Sequence, residues 1–156
     1  LFKEGRLRLL SHTGTHSLHT RESENPNLEA YIGVPVRMTE LISILLGRLP
    51  ITGGDDIYFS DSSLSKIVIR DENKARLRHI SLNSEKKISC IQFRHSGGQL
   101  YYEILIQKYK SFPFGDIPVR IEVRDMKKRK LYIEISDFEP QNYIKDQVFQ
   151  LTESES

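Results

Sequence analysis

The sequence predicts a mostly β, α+β domain in which a curved antiparallel sheet forms an unclosed barrel, with short helices covering its concave face. Three observations predict it. From Asp56 to about Asp137 the chain alternates apolar and polar residues and is cut by gaps of hairpin length. Helical spacing is confined to Pro26–Pro50. Within that window Leu41, Ile42, Ile44, Leu45 and Leu46 surround most of a short helix, so the helix needs cover on several sides. A flat sheet touches one side of such a helix, whereas a strongly bent sheet wraps it; a partner protein would equally hide the spare face.

Along the chain, Arg6–Leu10 and Ser17–Arg21 read as short strands joined through the Thr13-Gly14 turn. Asn25-Pro26 reads as a helix start, with an Asn cap and Pro at the first helical position. Leu28, Tyr31 and Ile32 follow at helical spacing, and Gly33 ends the turn. Thr39 reads as the cap of a second helix, Glu40 to Leu46, stopped by Gly47. Three hairpins follow. Lys66–Arg70 pairs with Arg76–Leu82, Lys87–Arg94 with Leu100–Tyr109, and Ile117–Asp125 with Lys130–Phe138. In the last pair Ile117, Val119, Ile121 and Val123 alternate with Pro118, Arg120, Glu122 and Arg124. That is a sheet with one dry and one wet face. Gln147–Leu151 adds a short last strand, and Thr152–Ser156 is a polar, fraying tail. No repeat or linker divides the chain, so residues 1–151 read as one domain.

Composition narrows the function. With 38% hydrophobic and 28% charged residues over 156 positions, the chain can bury a core and is not of disordered composition. A net charge of only +2, with both signs interleaved, lacks the dense basic face of a non-specific nucleic-acid binder. The one basic run, Lys127-Lys128-Arg129-Lys130, falls at a hairpin tip. Cys90 is the single cysteine and lies in an alternating strand, where it reads as a buried structural thiol. The longest apolar run, Leu41–Leu46, is too short to span a bilayer. No signal peptide is present, and the chain opens on Leu1-Phe2 without an initiator Met; residues are expected upstream.

No catalytic constellation emerges. The chain lacks G-x-S-x-G, H-E-x-x-H, P-loop and Rossmann glycine patterns. His12, His16 and His19 lie close together, but positions 16 and 19 of a strand point to opposite faces, so metal is not expected. Asp55-Asp56 follows Gly53-Gly54 and reads as loop. Tyr101, Tyr102, Tyr109, Phe112 and Phe114 cluster beside Lys108 and Lys110. Stacked bases need such aromatics, but core packing and loop anchoring fit better. The expected activity is binding without catalysis, with no cofactor and no nucleic acid.

Several stretches resemble the LolB-like bacterial outer-membrane lipoproteins of the LolA/LolB lipoprotein-localisation superfamily. They are Gly33-Val34-Pro35, Leu41 through Pro50, Ile117 through Val123, Leu131 through Asn142, and Val148-Phe149-Gln150-Leu151. The resemblance spans Ile32 to Leu151 and rests on structural motifs. It implies an unclosed β half-barrel whose apolar cavity takes the acyl chains of lipids or lipoproteins. It also implies the periplasmic face of the outer membrane, a lipid anchor N-terminal to this chain, and a periplasmic carrier protein as partner. The family's protruding apolar loop near the early strands either lies before Leu1 or is absent, so insertion activity is not expected from these residues, and Cys90 is not its lipidated cysteine. The expected cavity wall is Leu41, Leu45, Ile104, Ile106, Val119, Ile121, Val123, Ile133 and Ile135, residues that would equally serve as plain core. The rival expectation is an envelope scaffolding domain with a filled core, holding a protein partner by an edge strand or by the histidine-bearing hairpin.

Overall fold

A computed structural model describes residues 2–3, 6–10, 18–22, 25–73, 75–136 and 138, the first three segments by backbone alone. The fold is mostly β. Strands β1 (Phe2–Lys3), β2 (Arg6–Leu10) and β3 (Leu18–Glu22) form an antiparallel sheet of order β1-β2-β3. Helices α1 (Glu29–Ile32) and α2 (Met38–Leu45) follow. Seven strands then make an antiparallel meander. They are β4 (Asp56–Phe59), β5 (Lys66–Arg70), β6 (Arg76–Leu82), β7 (Ile88–His95), β8 (Leu100–Phe112), β9 (Gly115–Asp125) and β10 (Lys130–Glu134). Their order is β10-β9-β8-β7-β6-β5-β4, and the edges β4 and β10 do not pair, so the sheet is not a closed barrel. The chain divides into two compact units, Leu1–Pro26 with Asp137–Ser156, and Asn27–Ser136.

Within the second unit, register assembles one continuous apolar face. Ile57 lies opposite Ile69, and Ile69 opposite Arg78. The face continues through Ile80, Ile91, Ile104 and Val123, each opposite the next. Ile106 meets Ile121, which meets Ile133. Ile44 of α2 and Val34 and Val36 of the preceding loop are fully buried, as are Ile69, Ile91, Ile104, Ile121 and Val123. The ring of Tyr102 stacks on Phe93, its cross-strand neighbour, with centroids 4.2 Å apart. Its hydroxyl donates to the Glu40 carboxylate at 2.6 Å, joining α2 to the sheet.

Both helix starts differ from the sequence expectation. Pro26 precedes α1 and is buried; Leu28 is the residue at its N-cap, and Asn27 accepts the Glu29 amide through its side chain. Helix α2 begins at Met38, ahead of the expected Thr39 cap. Its start is closed by Glu40, whose carboxylate takes the Arg37 amide at 2.9 Å. The stops match. Gly33 and Gly47 adopt φ of 77° and 68°. A Cβ on Gly47 would lie 3.0 Å from the Asp116 carbonyl oxygen and 3.4 Å from Pro118 Cδ, so the helix end and β9 approach as closely as glycine allows.

Other strands also differ, and β3 and β7 each lie one residue later than expected. β4 has no counterpart in the expected elements; β8 runs three residues past Tyr109; β9 starts at Gly115; β10 ends at Glu134, short of Phe138. The turn expected at Thr13-Gly14, the strand expected at Gln147–Leu151 and the 152–156 tail lie outside the described residues.

Candidate functional site

The expected cavity wall falls into three environments. Ile104, Ile121 and Val123 have no exposure, and Ile106 little, so the middle of the apolar face is filled with protein. Leu41 and Leu45 of α2 and Ile133 of β10 are half-buried. Val119 and Ile135 sit apart from these. The Ile135 amide donates to the Val119 carbonyl, and both line a hollow of about 460 Å³ with Lys108, Lys110, Arg120 and Glu134. Register therefore brings five of the residues together on one face and places these two at the end of the sheet.

That end holds the more open apolar surface. A second hollow, of about 360 Å³, lies between the segment after α2 and the ends of β5, β6 and β7. Leu49, Ile67, Leu82, Ile88 and Tyr109 give it an apolar wall, and Lys86 and Lys87 supply its cations. Small-molecule sites occupy about 300–1,000 Å³, so this hollow is at the small end of that range. Beside it the apolar face continues to the β4 edge, where Ile57 and Phe59 are half-exposed. Sequence reasoning misses Leu49, Ile67, Leu82, Ile88 and Tyr109 as a group. Each reads as an ordinary strand or loop hydrophobe, and only the register shows that they end together.

The groups around this hollow are fixed. The Tyr109 hydroxyl donates to the Ile88 carbonyl at 2.7 Å, and burial pushes its pKa up to about 12. The Lys87 ammonium binds Asp116 at 2.8 Å and Glu85 at 2.7 Å; these bonds hold its pKa above the ordinary lysine value and that of Asp116 below the ordinary aspartate value. Lys86 donates to the Ser63 carbonyl at 3.0 Å. The segment carrying Leu49 is clamped to the sheet by Arg78, which stands on the otherwise apolar face. Its guanidinium donates to the Pro50 carbonyl and pairs with Asp55 at 2.7 Å. The Asp55 side chain is inaccessible to solvent. Burial works against its charge, but the Thr52 amide and Arg78 outweigh it and lower its pKa.

The opposite face is polar and internally paired. Glu122 is almost fully buried beneath Arg124 and Lys130, and their bonds bring its pKa down to about 2. Gln107 also donates to it at 3.0 Å. Cys90 lies on this face, half-buried, and desolvation pushes its thiol up to about 11, which makes it a poor nucleophile at neutral pH. His79 is held below its ordinary value by burial and then by Arg94. No cluster of metal-ligating side chains occurs among the described residues. His12 and His16 lie outside them. Within the basic run, Arg129 is bound to Asp125 and Glu29, and Lys130 to Glu122.

Among known proteins, no family model, no curated protein and no solved structure matches the chain.

Proposed function

We propose that this chain is a non-catalytic binding domain for the acyl chains of lipids or lipoproteins, acting in bacterial outer-membrane lipoprotein localisation. The observation that carries the reading is the 360 Å³ hollow with its wall of Leu49, Ile67, Leu82, Ile88 and Tyr109. The sheet bends as a half-barrel under α2, and the bound chain lies at the loop end of that trough, since its middle is filled. Each buried CH₂ contributes about 0.8 kcal/mol, so a chain needs no polar handle to be held. Lys86 and Lys87 lie where a carboxylate or phosphate head would remain. The setting, at the periplasmic face of the outer membrane with an N-terminal lipid anchor and a carrier protein as partner, follows from the family resemblance alone.

A specific observation favours a second reading. The filled middle of the face and the half-exposed edge strand β4, with Ile57, Tyr58 and Phe59, suit a scaffolding domain that adds a partner's strand. One experiment separates the two. Lipid is extracted from the purified protein, and uptake of a fatty acid is measured for the parent chain, Leu49→Asp and Leu49→Trp. The carrier reading expects bound or acquired fatty acid in the parent and loss in both variants, one by charge and one by filling the hollow. A parent with no lipid and no uptake would refute it and leave the scaffold.

A further inference from the structure

We infer that the β8–β9 hairpin is a docking arm for an anionic lipid bilayer, a role that stands apart from the acyl-chain reading. Strand β7 begins at Ile88, while β8 continues to Phe112. Cys90 pairs with Leu105, so Ile88 falls level with Gln107, and β8 outruns β7 by about 16 Å at roughly 3.3 Å per residue. On the other side β10 ends at Glu134, opposite Arg120. Among the described residues, what lies beyond is a two-stranded arm in which Ser111 faces Asp116 and Phe112 faces Gly115, its base held by the Lys87–Asp116 pair.

The tip is apolar. Pro113 fixes φ near −65°, which excludes the primed turns of most two-residue hairpins. Gly115, at φ 139°, supplies the positive φ the return strand needs. Phe112 and Phe114 stack with centroids 5.3 Å apart, and Phe114 stays 50% exposed. Phe112 is half-buried, and the exposed half of Phe114 is apolar surface at the tip that a partner can take.

The flank is basic. Lys110 Nζ lies 5.3 Å from the Phe112 ring centroid. Lys108 and Lys110 have no ion-pair partner among the described residues, whereas Arg120 is bound to Glu134 and Asp116 to Lys87. The two lysines line the 460 Å³ hollow at the base of the arm, with room for a phosphate head group. Apolar side chains at a tip with cations behind them match the layering of a bilayer surface, acyl chains beneath anionic heads. A nucleic-acid strand would want aromatics spread along a groove, and here they crowd one tip.

The competing end is the β9–β10 turn, where Met126 is exposed beside Lys127 and Lys128. The chain has no tryptophan, so Phe114→Trp and Met126→Trp each place one reporter at one end. The proteins are titrated with vesicles of phosphatidylcholine and of phosphatidylcholine with phosphatidylglycerol, after circular dichroism shows each variant folded. Indole emission from the Phe114→Trp protein is expected to shift to the blue with the anionic vesicles only, and emission from the Met126→Trp protein to stay unchanged. Replacing both Lys108 and Lys110 by Gln should weaken anionic-vesicle binding about thirtyfold, and Phe114→Ser about tenfold. No binding to anionic vesicles, equal binding to neutral ones, or a shift in the Met126→Trp protein alone would overturn the inference. So would sedimentation showing that the arm pairs with a second copy of the chain, lost in Phe114→Ser, with no vesicle binding. Fatty-acid uptake in vesicle-free solution tests the acyl-chain reading separately.

Discussion

Removing Arg78 tests how the candidate site is held together. Its guanidinium joins the Pro50 carbonyl and the Asp55 carboxylate, and that pair keeps the Leu49–Asp55 segment against the end of the sheet. Arg78→Met keeps an apolar stem of similar length and removes the charge. It leaves an inaccessible Asp55 carboxylate with Thr52 as its one remaining partner, and Oδ1 already has no hydrogen bond. Breaking one side of a buried pair costs about 3–5 kcal/mol, and this carboxylate lies under a thin cover in a loop, so the low end applies, about 3 kcal/mol. For a chain of this size each kcal/mol lowers Tm by about 2–4 °C, which gives roughly 6–12 °C. The assay is thermal unfolding followed by circular dichroism, with Asp55→Asn and the double variant completing a cycle. Most of the loss should be shared between the two sites, so the double variant should be little worse than Arg78→Met. The pH dependence has a definite sign. Asp55 is depressed below its ordinary 3.8, so its stabilisation is present above about that pH and disappears as pH falls through the lower folded value. Arg78→Met should lose that part of the acid dependence. An unchanged Tm in Arg78→Met, or strictly additive single variants, would refute the clamp.

Three further outcomes are expected. Gly47→Ala should destabilise by about 1–2 kcal/mol from its left-handed φ alone, and by more if the Asp116 carbonyl cannot retreat, as read by urea unfolding. Glu122→Gln should flatten the acid limb of the stability curve. Glu122 falls to about 2 in the folded chain from an ordinary 4.5, so its contribution is present above 4.5 and lost as pH drops toward 2; a pH series of urea midpoints identical to the parent would contradict this. Cys90, with its thiol near 11, should react slowly with a disulfide reagent at neutral pH and quickly in denaturant, and equal rates in both would show an accessible thiolate.

The hairpins are the most legible part of the chain because each carries two kinds of signal. Lys66–Arg70 and Arg76–Leu82 match their expected bounds to the residue, since alternation and the turn residues between them agree. β4 escapes such reading because Asp56-Ile57-Tyr58-Phe59 does not alternate. It is an edge strand exposed throughout, so selection for a dry face never patterned it. The end of β8 is hidden because Lys110-Ser111 looks like a loop, yet paired backbone can continue where no side chain is buried. The start of α2 differs because the group closing it is Glu40, three residues in, and Thr39 has an equal claim by residue type. Of the site, the apolar face is visible in the sequence and its two ends are not. Leu49 and Ile67, eighteen positions apart, meet only because strand register stops β5 where the α2 exit passes.

The geometry of the arm explains why the open surface lies at one end. Where both neighbouring strands are present, side chains on the apolar face are buried, as Ile104 and Ile121 are. Among the described strands, β8 past the level of Ile88 pairs with β9 alone, and Phe114 at the turn beyond is half exposed. The ladder between β8 and β9 shifts register between Ile106 and Lys108 and again between Lys108 and Tyr109, where β8 leaves β7 behind. Bulges bend and twist a strand locally. After them Tyr109 lies opposite Pro118, with its ring at the wall of the smaller hollow, while Lys108 lies opposite Arg120. An uninterrupted ladder would keep Ile106, Lys108 and Lys110 on one face, alternating with Tyr109 on the other. After the shifts Tyr109 lines both hollows, while Lys108 and Lys110 line the larger one with Val119 and Ile135.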